Sequence, residues 1–197
     1  MNYHVPNLTL DTALKLEESL NHIIPEEEFL FDFSRMSNFD PLPMLMAGAI
    51  IKRYRSLYPE VRFSVAGIDT KGKGYAGTMG FFKYISPALD IGKAPGEAMG
   101  SSNYIPITLI SVDALQQAEY KQGNYISLGD IIEKESGRLA RIVDRGQSEL
   151  HKLLTYLIRE ILRNTPEHAQ TNQMWVCGQY WPSYELAEIA IIDEGIG

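Results

Sequence analysis

Short apolar segments that alternate with helix-forming segments constrain the fold of this chain more than any other feature. FLFDF at 29–33, VRFSVAGI at 61–68 and NYIPITLI at 103–110 are rich in aromatic and β-branched residues, as buried strands are. Residues 11–23 place apolar side chains among charged ones, and a long apolar segment at 42–57 follows a proline, so both segments predict helices. The alternation predicts an α/β fold in which helices cover a sheet.

Composition limits the classes of protein to which the chain can belong. With 197 residues, 45% of them hydrophobic and 22% charged, it predicts one or two globular domains. No apolar run approaches the length of about 18 residues that spans a bilayer, and the amino terminus lacks the pattern of a signal peptide. These features predict a cytoplasmic protein that does not bind a membrane.

Cysteine content and charge exclude further classes of site. The chain has one cysteine, Cys177, which excludes an internal disulfide framework and a thiol-rich zinc site. The net charge of -7 argues against general nucleic-acid binding.

The composition changes at Ser127, where two amphipathic helices are predicted at 127–143 and 147–164. Ser127 and Asp130 resemble a capping pair for the first helix. The second helix carries an apolar stripe that is expected to pack on a sheet, formed by Leu150, Leu153, Leu154, Leu157, Ile158, Ile161 and Leu162. We therefore predict an α/β domain at 1–125, a helical linker at 126–145 and a further domain at 146–197.

A glycine-rich segment at 70–80 is predicted to be a loop. It contains a literal G-x-G-x-x-G, at Gly72, Gly74 and Gly77. A dinucleotide-binding fingerprint belongs at the first strand-to-helix turn of a βαβ unit, whereas two predicted strands precede this one. We expect a solvated loop, in which Lys71 and Lys73 could still receive a phosphate among exposed amide groups.

The first half of the chain resembles a STAS domain, the small α/β module of anti-sigma-factor antagonists. The resemblance covers about the first 110 residues and lies in the order FLFDFS, a loop ending at Asp40, a helix, RFSVAGI and GTMGFFKYI. It implies a STAS-like domain that binds a protein partner. Because Asp40 is followed by Pro41 and not by a hydroxyl residue, the regulatory phosphoserine of that family is not carried over.

Glu160 and Asn164 stand four residues apart on the predicted second amphipathic helix and so project from the same side. They lie at the edge of the apolar stripe. A helix that buries Leu157 and Ile161 would hold this carboxylate and this amide at the boundary between core and solvent, where a ligand could meet both.

Two motifs around this pair resemble the nucleotide-binding boxes of GHKL proteins, the group that contains gyrase, Hsp90, MutL and histidine kinases. REILRNTPEHA resembles the N box, with Glu160, Asn164, His168 and Ala169 in register. AEIAIIDEGIG resembles the box in which an apolar strand runs into D-x-G-x-G, and QMWVCGQYW supplies the strand between the two. The resemblance covers about residues 146–197 and implies the first part of a GHKL α/β sandwich.

The GHKL resemblance implies ATP and Mg²⁺ as cofactors and gives each site residue a role. Asn164 would bind Mg²⁺ through its amide oxygen, and Glu160 would act as the catalytic general base. Asp193 would accept a hydrogen bond from the adenine amino group, while Gly195 and Gly197 would let the backbone approach the nucleotide. A glutamate in the N box is similar to ATP-hydrolysing members and to serine kinases, and a role for His151 as phospho-acceptor is disfavoured.

Two departures from the GHKL pattern carry expectations of their own. Pro166 cannot donate a helical hydrogen bond, so the helix is expected to kink or end near Asn164 and Thr165. A GHKL domain continues into an ATP lid and a second glycine box, whereas the sequence stops at Gly197. The resemblance therefore implies a fragment, or a protein that no longer turns over nucleotide.

Two functions of different class follow. In the first, the parent protein is a regulatory ATPase or serine/threonine protein kinase whose STAS-like domain binds a partner. In the second, the chain is a non-catalytic interaction and assembly module that forms a homodimer.

Overall fold

A computed structural model describes residues 1–37, 39–68, 73–123 and 125–195 of the chain. Contacts between Cα atoms divide the chain into two compact units, Met1–Ala98 and Met99–Gly197. Both mix helices with strands, which confirms the predicted α/β class. Within the described ranges, no helix has the length and apolarity needed to cross a membrane.

The described elements agree with the main predicted segments to within two residues at each end, except that the last long helix ends four residues later than predicted. The helices are α1 (Leu10–Asn21), α2 (Pro41–Leu57), α3 (Lys73–Met79), α4 (Phe81–Ile85), α5 (Val112–Lys121), α6 (Leu128–Asp144) and α7 (Ser148–His168). The strands are β1 (Asn2–His4), β2 (Glu28–Asp32), β3 (Arg62–Ala66), β4 (Tyr104–Ser111), β5 (Gln173–Trp181) and β6 (Leu186–Asp193).

The first unit is built on a parallel three-stranded sheet with β2 in its centre. Phe29, Phe31 and Phe33 alternate along the chain and are all buried, as expected for side chains on one face of a strand. The Phe29 ring lies 5.4 Å from the ring of Tyr54 in α2, and the Phe33 ring lies 5.5 Å from that of Phe82 in α4. Aromatic rings therefore form the centre of contact between β2 and the helices, beside aliphatic residues such as Leu16, Leu20 and Ile51.

Gly48 lets α2 pack closely against Tyr84 of α4, because a Cβ at position 48 would overlap the Tyr84 ring. Gly48→Ala is expected to lower the free energy of unfolding by about 1–3 kcal/mol, the usual cost of overpacking. Gly74→Ala is the matched control, since a Cβ there would meet nothing within 4 Å. Urea unfolding followed by circular dichroism measures both variants, and equal midpoints would contradict the close packing.

The second unit is built on an antiparallel sheet in the order β4, β5, β6. Helices α6 and α7 form a hairpin that packs on this sheet, with α6 against all three strands and α7 against β5. The capping box predicted for α6 is confirmed, because Ser127 Oγ accepts from the Asp130 N–H at 3.1 Å and Asp130 Oδ2 from the Ser127 N–H at 3.1 Å. The core of the unit contains Ile105, Ile110, Val112, Ile131, Ile132, Leu139, Ala140, Ile142, Ile158, Leu162, Met174 and Val176.

The division of the chain differs from the predicted boundaries at 125 and 145. The strand predicted at 103–110 pairs with β5 and so lies in the second unit, rather than with the strands of the first half. Helix α6 buries Ile131 and Leu139 in the core of this unit, so it does not behave as a linker. The strand at 103–110 is predicted in the first domain because it follows that domain's other strands in the sequence. Helix α6 is predicted as a linker because it lies between the two predicted domains.

One local prediction is wrong, and one of the two outcomes expected at Pro166 is not observed. Residues 73–79 of the predicted glycine-rich loop form helix α3, while residues 70–72, which include Gly72 and Lys71, lie outside the described residues. Helix α7 does not end near Asn164, because it continues through Pro166 to His168.

The apolar stripe predicted for α7 is only partly buried. Ile158 and Leu162 are 6% and 1% exposed and lie in the core, whereas Leu157 and Ile161 are 48% and 50% exposed. The buried face of α7 also contains Thr155. The prediction that Leu157 and Ile161 pack on the sheet is therefore wrong.

Asp144 stabilises the turn between α6 and α7, where Arg145 and Gly146 have φ values of 51° and 83°. Its Oδ1 accepts a hydrogen bond from the Gly146 N–H at 2.7 Å, and its Oδ2 lies 2.5 Å from His151 Nδ1. The Gly146 hydrogen bond and, after it, the His151 contact outweigh desolvation and hold the pKa of Asp144 below its ordinary value of 3.8.

We expect Asp144→Asn to lower the free energy of unfolding at pH 7 by about 1–3 kcal/mol. Because the pKa of Asp144 is depressed in the folded state, its contribution is fully present above about pH 4 and is lost as the pH falls through the folded-state pKa. The difference between the two proteins should therefore shrink below pH 4. Asp90→Asn, at a fully exposed carboxylate, is the control for urea unfolding at each pH.

Candidate functional site

Helix α7 holds Glu160 and Asn164 one turn apart, but on its exposed side and not at the edge of its buried face, where the sequence predicts them. Burial of Ile158 and Leu162 fixes the rotation of the helix. Asn164 is exposed, and among the described residues its amide makes no hydrogen bond. The Glu160 side chain is 41% exposed. Both side chains can therefore reach a ligand in solvent.

The carboxylate of Glu160 is oriented by Arg159. The Arg159 Nη2 and Nε atoms donate to Glu160 Oε1 at 3.1 and 3.3 Å, and Arg159 Nη1 lies 3.4 Å from Glu133 Oε2. The hydrogen bond to Glu160 is the main cause that raises the pKa of Arg159. Both Arg159 bonds use Oε1, so no donor among the described residues binds Glu160 Oε2, which can accept from a water molecule or a substrate.

Asp193 is the last residue of β6 and forms the turn that follows it. Its Oδ1 accepts a hydrogen bond from the Gly195 N–H at 3.0 Å, as in an Asx turn. Asp193 is exposed, and in the described part of the chain Oδ2 has no donor. The carboxylate is thus held by one oxygen while the other remains available.

The β5–β6 hairpin brings the end of β6 back to the end of α7. Strand β5 begins at Gln173, shortly after α7 ends at His168, and Met174 pairs with Asp193. A Cβ at position 195 would overlap the carbonyl oxygen of Ala169 and would lie 2.7 Å from its Cβ. Only glycine therefore fits at position 195.

The contact between Gly195 and Ala169 joins the two motifs that the sequence singled out. At a rise of about 1.5 Å per residue, Asn164 lies about 8 Å along α7 from Ala169, and Glu160 lies about 14 Å from it. These are separations along the helix axis; around that axis Asn164 is about 140° from Ala169, so the two residues do not share a face. His168 is exposed at the end of α7. Gly197 lies outside the described residues.

The chemistry of Asn164 is compatible with a role as a ligand of Mg²⁺. Asn164 supplies one neutral oxygen, which suits Mg²⁺ because this ion takes few protein ligands and keeps several waters. Within the described ranges, no group of three or more His, Cys, Asp and Glu side chains could hold a metal ion. A magnesium ion at Asn164 would therefore take its other ligands from phosphate oxygens and water.

Two contributors to the site are difficult to find from sequence. Arg159 precedes Glu160 and so would be expected on another side of the helix, yet its long side chain reaches back to the carboxylate. Ala169 is one of the residues whose pattern resembles the N box, but its contact with Gly195 depends on the β5–β6 hairpin. The sequence signal for the contact between Gly195 and Ala169 is the glycine that stands two residues after Asp193, at the end of a predicted strand.

Comparison with protein-family models, with curated proteins and with solved structures found no match for this chain.

Proposed function

We propose that the second unit of this protein binds ATP with Mg²⁺ as a member of the GHKL class. The observation that carries the proposal is the packing of Gly195 against Ala169, which sets the D-x-G turn beside the end of the helix that carries Glu160 and Asn164. A ligand that contacts both motifs would then extend from this turn around the end of α7 to its exposed side.

Each side chain has a role in this proposal. Asp193 accepts from the adenine amino group through Oδ2, while Oδ1 keeps the turn in place. Asn164 is a ligand of Mg²⁺, which when bound would neutralise phosphate charge. Glu160, oriented by Arg159, accepts a proton from a water molecule or a substrate hydroxyl through Oε2. The reaction would be ATP hydrolysis or phosphoryl transfer to a serine or threonine.

The proposal predicts that Asp193→Asn weakens ATP binding by about tenfold to a hundredfold. The amide can keep its oxygen on the Gly195 N–H, so the turn is retained, but it then presents an NH₂ donor to the adenine amino group. Titration with ATP and excess Mg²⁺ by calorimetry measures the loss. Asp90→Asn, the same change at a fully exposed carboxylate of the first unit, is the control.

Glu160→Gln separates binding from chemistry. The amide keeps an oxygen for Arg159 but cannot take a proton, so ATP should bind as before while any turnover falls by at least about a hundredfold. Absence of ATP binding by the unmodified chain would overturn the proposed function.

We further propose that the first unit is a STAS-like module that binds a protein partner and regulates the second. The parallel order of β1, β2 and β3, with α2 packed on β2 through Tyr54, supports this proposal. The signal and the partner would act through protein contacts rather than through the phosphoserine switch, because Asp40 is followed by Pro41.

A non-catalytic interaction module is the second candidate, and the exposed side of α7 favours it. Leu153, Tyr156, Leu157 and Ile161 are each about half exposed and lie on one helix. Apolar groups gathered in this way often mark a protein contact. Sedimentation equilibrium distinguishes the candidates: a dimer that Leu157→Glu dissociates, together with no binding of ATP, would favour the second.

A further inference from the structure

A groove of about 490 Å³ runs between α6 and α7, outside the residues proposed to bind nucleotide. This volume is typical of a small-molecule site. The groove is lined by Glu133, Lys134, Glu135, Gly137, Arg138, Arg141, His151 and Thr155. All of its residues belong to the second unit.

Thr155 places an unpaired hydroxyl in this groove. Its side chain is buried, with 9% of the residue exposed, and its Oγ1 has no hydrogen-bond partner in the described structure. Buried polar atoms almost always have a partner, so an unpaired one calls for an explanation. A ligand in the groove would supply the missing hydrogen bond.

Gly137 opens the space that Thr155 faces. A Cβ at position 137 would lie 4.0 Å from Thr155 Oγ1 and 3.9 Å from His151 Nε2. The hydroxyl and the imidazole nitrogen therefore border the same space, which any side chain at position 137 would fill. His151 and Thr155 are four residues apart and share one face of α7.

Asp144 fixes the imidazole of His151. Its ionised carboxylate accepts from Nδ1 at 2.5 Å, which leaves Nε2 directed to the groove. In the imidazolium form both ring nitrogens carry protons, so Nε2 becomes a donor beside the Thr155 hydroxyl.

Among the described residues, the ion pairs around the groove leave Arg141 without a carboxylate at ion-pair distance, although its charge contributes to the lowered pKa of Asp144. The carboxylates that line the groove are already bound, Glu135 to Arg138 at 2.8 Å and Glu133 to Arg159 at 3.4 Å. Lys134 pairs with Glu119, outside the lining. Arg141 forms no ion pair with a carboxylate of the described residues. The groove therefore offers a guanidinium, a hydroxyl and an imidazole to an anion.

We propose that this groove binds the phosphate group of a small phosphorylated molecule. The phosphate oxygens accept from Thr155 Oγ1, from His151 Nε2 and from Arg141, and the space over Gly137 receives them. Arginine suits this role because its planar group matches a phosphate in bidentate geometry. The groove shares no residue with the proposed nucleotide site. An experiment can therefore overturn the phosphate proposal and leave the nucleotide proposal intact, or the reverse.

The test is a titration of the full chain with inorganic phosphate at pH 6.5, followed by NMR of the His151 ring signals. The spectrum of His151→Gln assigns these signals among the four histidines. Phosphate should shift them with saturation. Thr155→Val should weaken this binding by about tenfold, as expected for a lost hydrogen bond to a charged group, and Arg141→Gln should weaken it by at least as much.

Three controls make the outcome specific. Thr155→Ser keeps the hydroxyl and should keep the affinity for phosphate. Thr155→Val removes a buried hydroxyl that has no partner in the described structure, so it should not lower the melting temperature. Lys152→Gln removes the same charge as Arg141→Gln from an exposed position outside the lining and should have no effect. Asn164→Ala should also leave phosphate binding at His151 unchanged. Absence of a saturable His151 shift, or equal affinity in Thr155→Val and the unmodified chain, would overturn the proposal.

Discussion

Gly195→Ala should raise the dissociation constant for ATP by about tenfold to a hundredfold. The added methyl group would overlap the Ala169 carbonyl oxygen, so the turn after β6 must move away from the end of α7. Overpacking of this kind costs about 1–3 kcal/mol, and the displaced turn would carry the Asp193 carboxylate with it. Calorimetric titration with ATP and Mg²⁺ measures the change.

Gly129→Ala is the matched control for this variant. It makes the same substitution in the same unit, and the new Cβ would meet only Ser127 Oγ, at an ordinary distance of 3.7 Å. Its affinity for ATP should equal that of the unmodified chain. If Gly195→Ala binds ATP normally while Asp193→Asn does not, the carboxylate binds nucleotide but the contact with Ala169 is not required.

The sequence predicted which residues of the site share an element, but not how the elements meet. A helical period is enough to place Glu160 and Asn164 on one side of α7. The contact of Gly195 with Ala169 depends on the β5–β6 hairpin, whose register pairs Met174 with Asp193. Register is set by tertiary packing and turn geometry, which no single segment contains.

The grouping of strands could not be predicted for a similar reason. The segment at 103–110 has the same apolar character as the strands of the first half, so its composition does not indicate which sheet it joins. In the structure it pairs with β5, about seventy residues later, and its neighbour α6 packs on the same sheet. Pairing at such distances is decided by the whole fold.

The rotation of α7 illustrates the limit of hydrophobic periodicity. The apolar residues of this helix cover more than one face, because both Leu157 with Ile161 and Ile158 with Leu162 satisfy the spacing of a helix. A one-residue difference rotates a side chain by about 100° around the helix axis. The pattern could not decide which pair lies on the sheet.

Leu162→Ala and Leu157→Ala should therefore differ strongly in stability, although both remove the same atoms from the same helix. Leu162 is 1% exposed and lies in the core, so its truncation should lower the free energy of unfolding by about 2–5 kcal/mol. Leu157 is 48% exposed, and its truncation should cost less than about 1 kcal/mol. The two tryptophans, Trp175 and Trp181, both lie in β5, so urea unfolding followed by tryptophan fluorescence reports on this unit. Equal losses in the two variants would contradict the observed rotation of α7 and, with it, the exposure of Glu160 and Asn164.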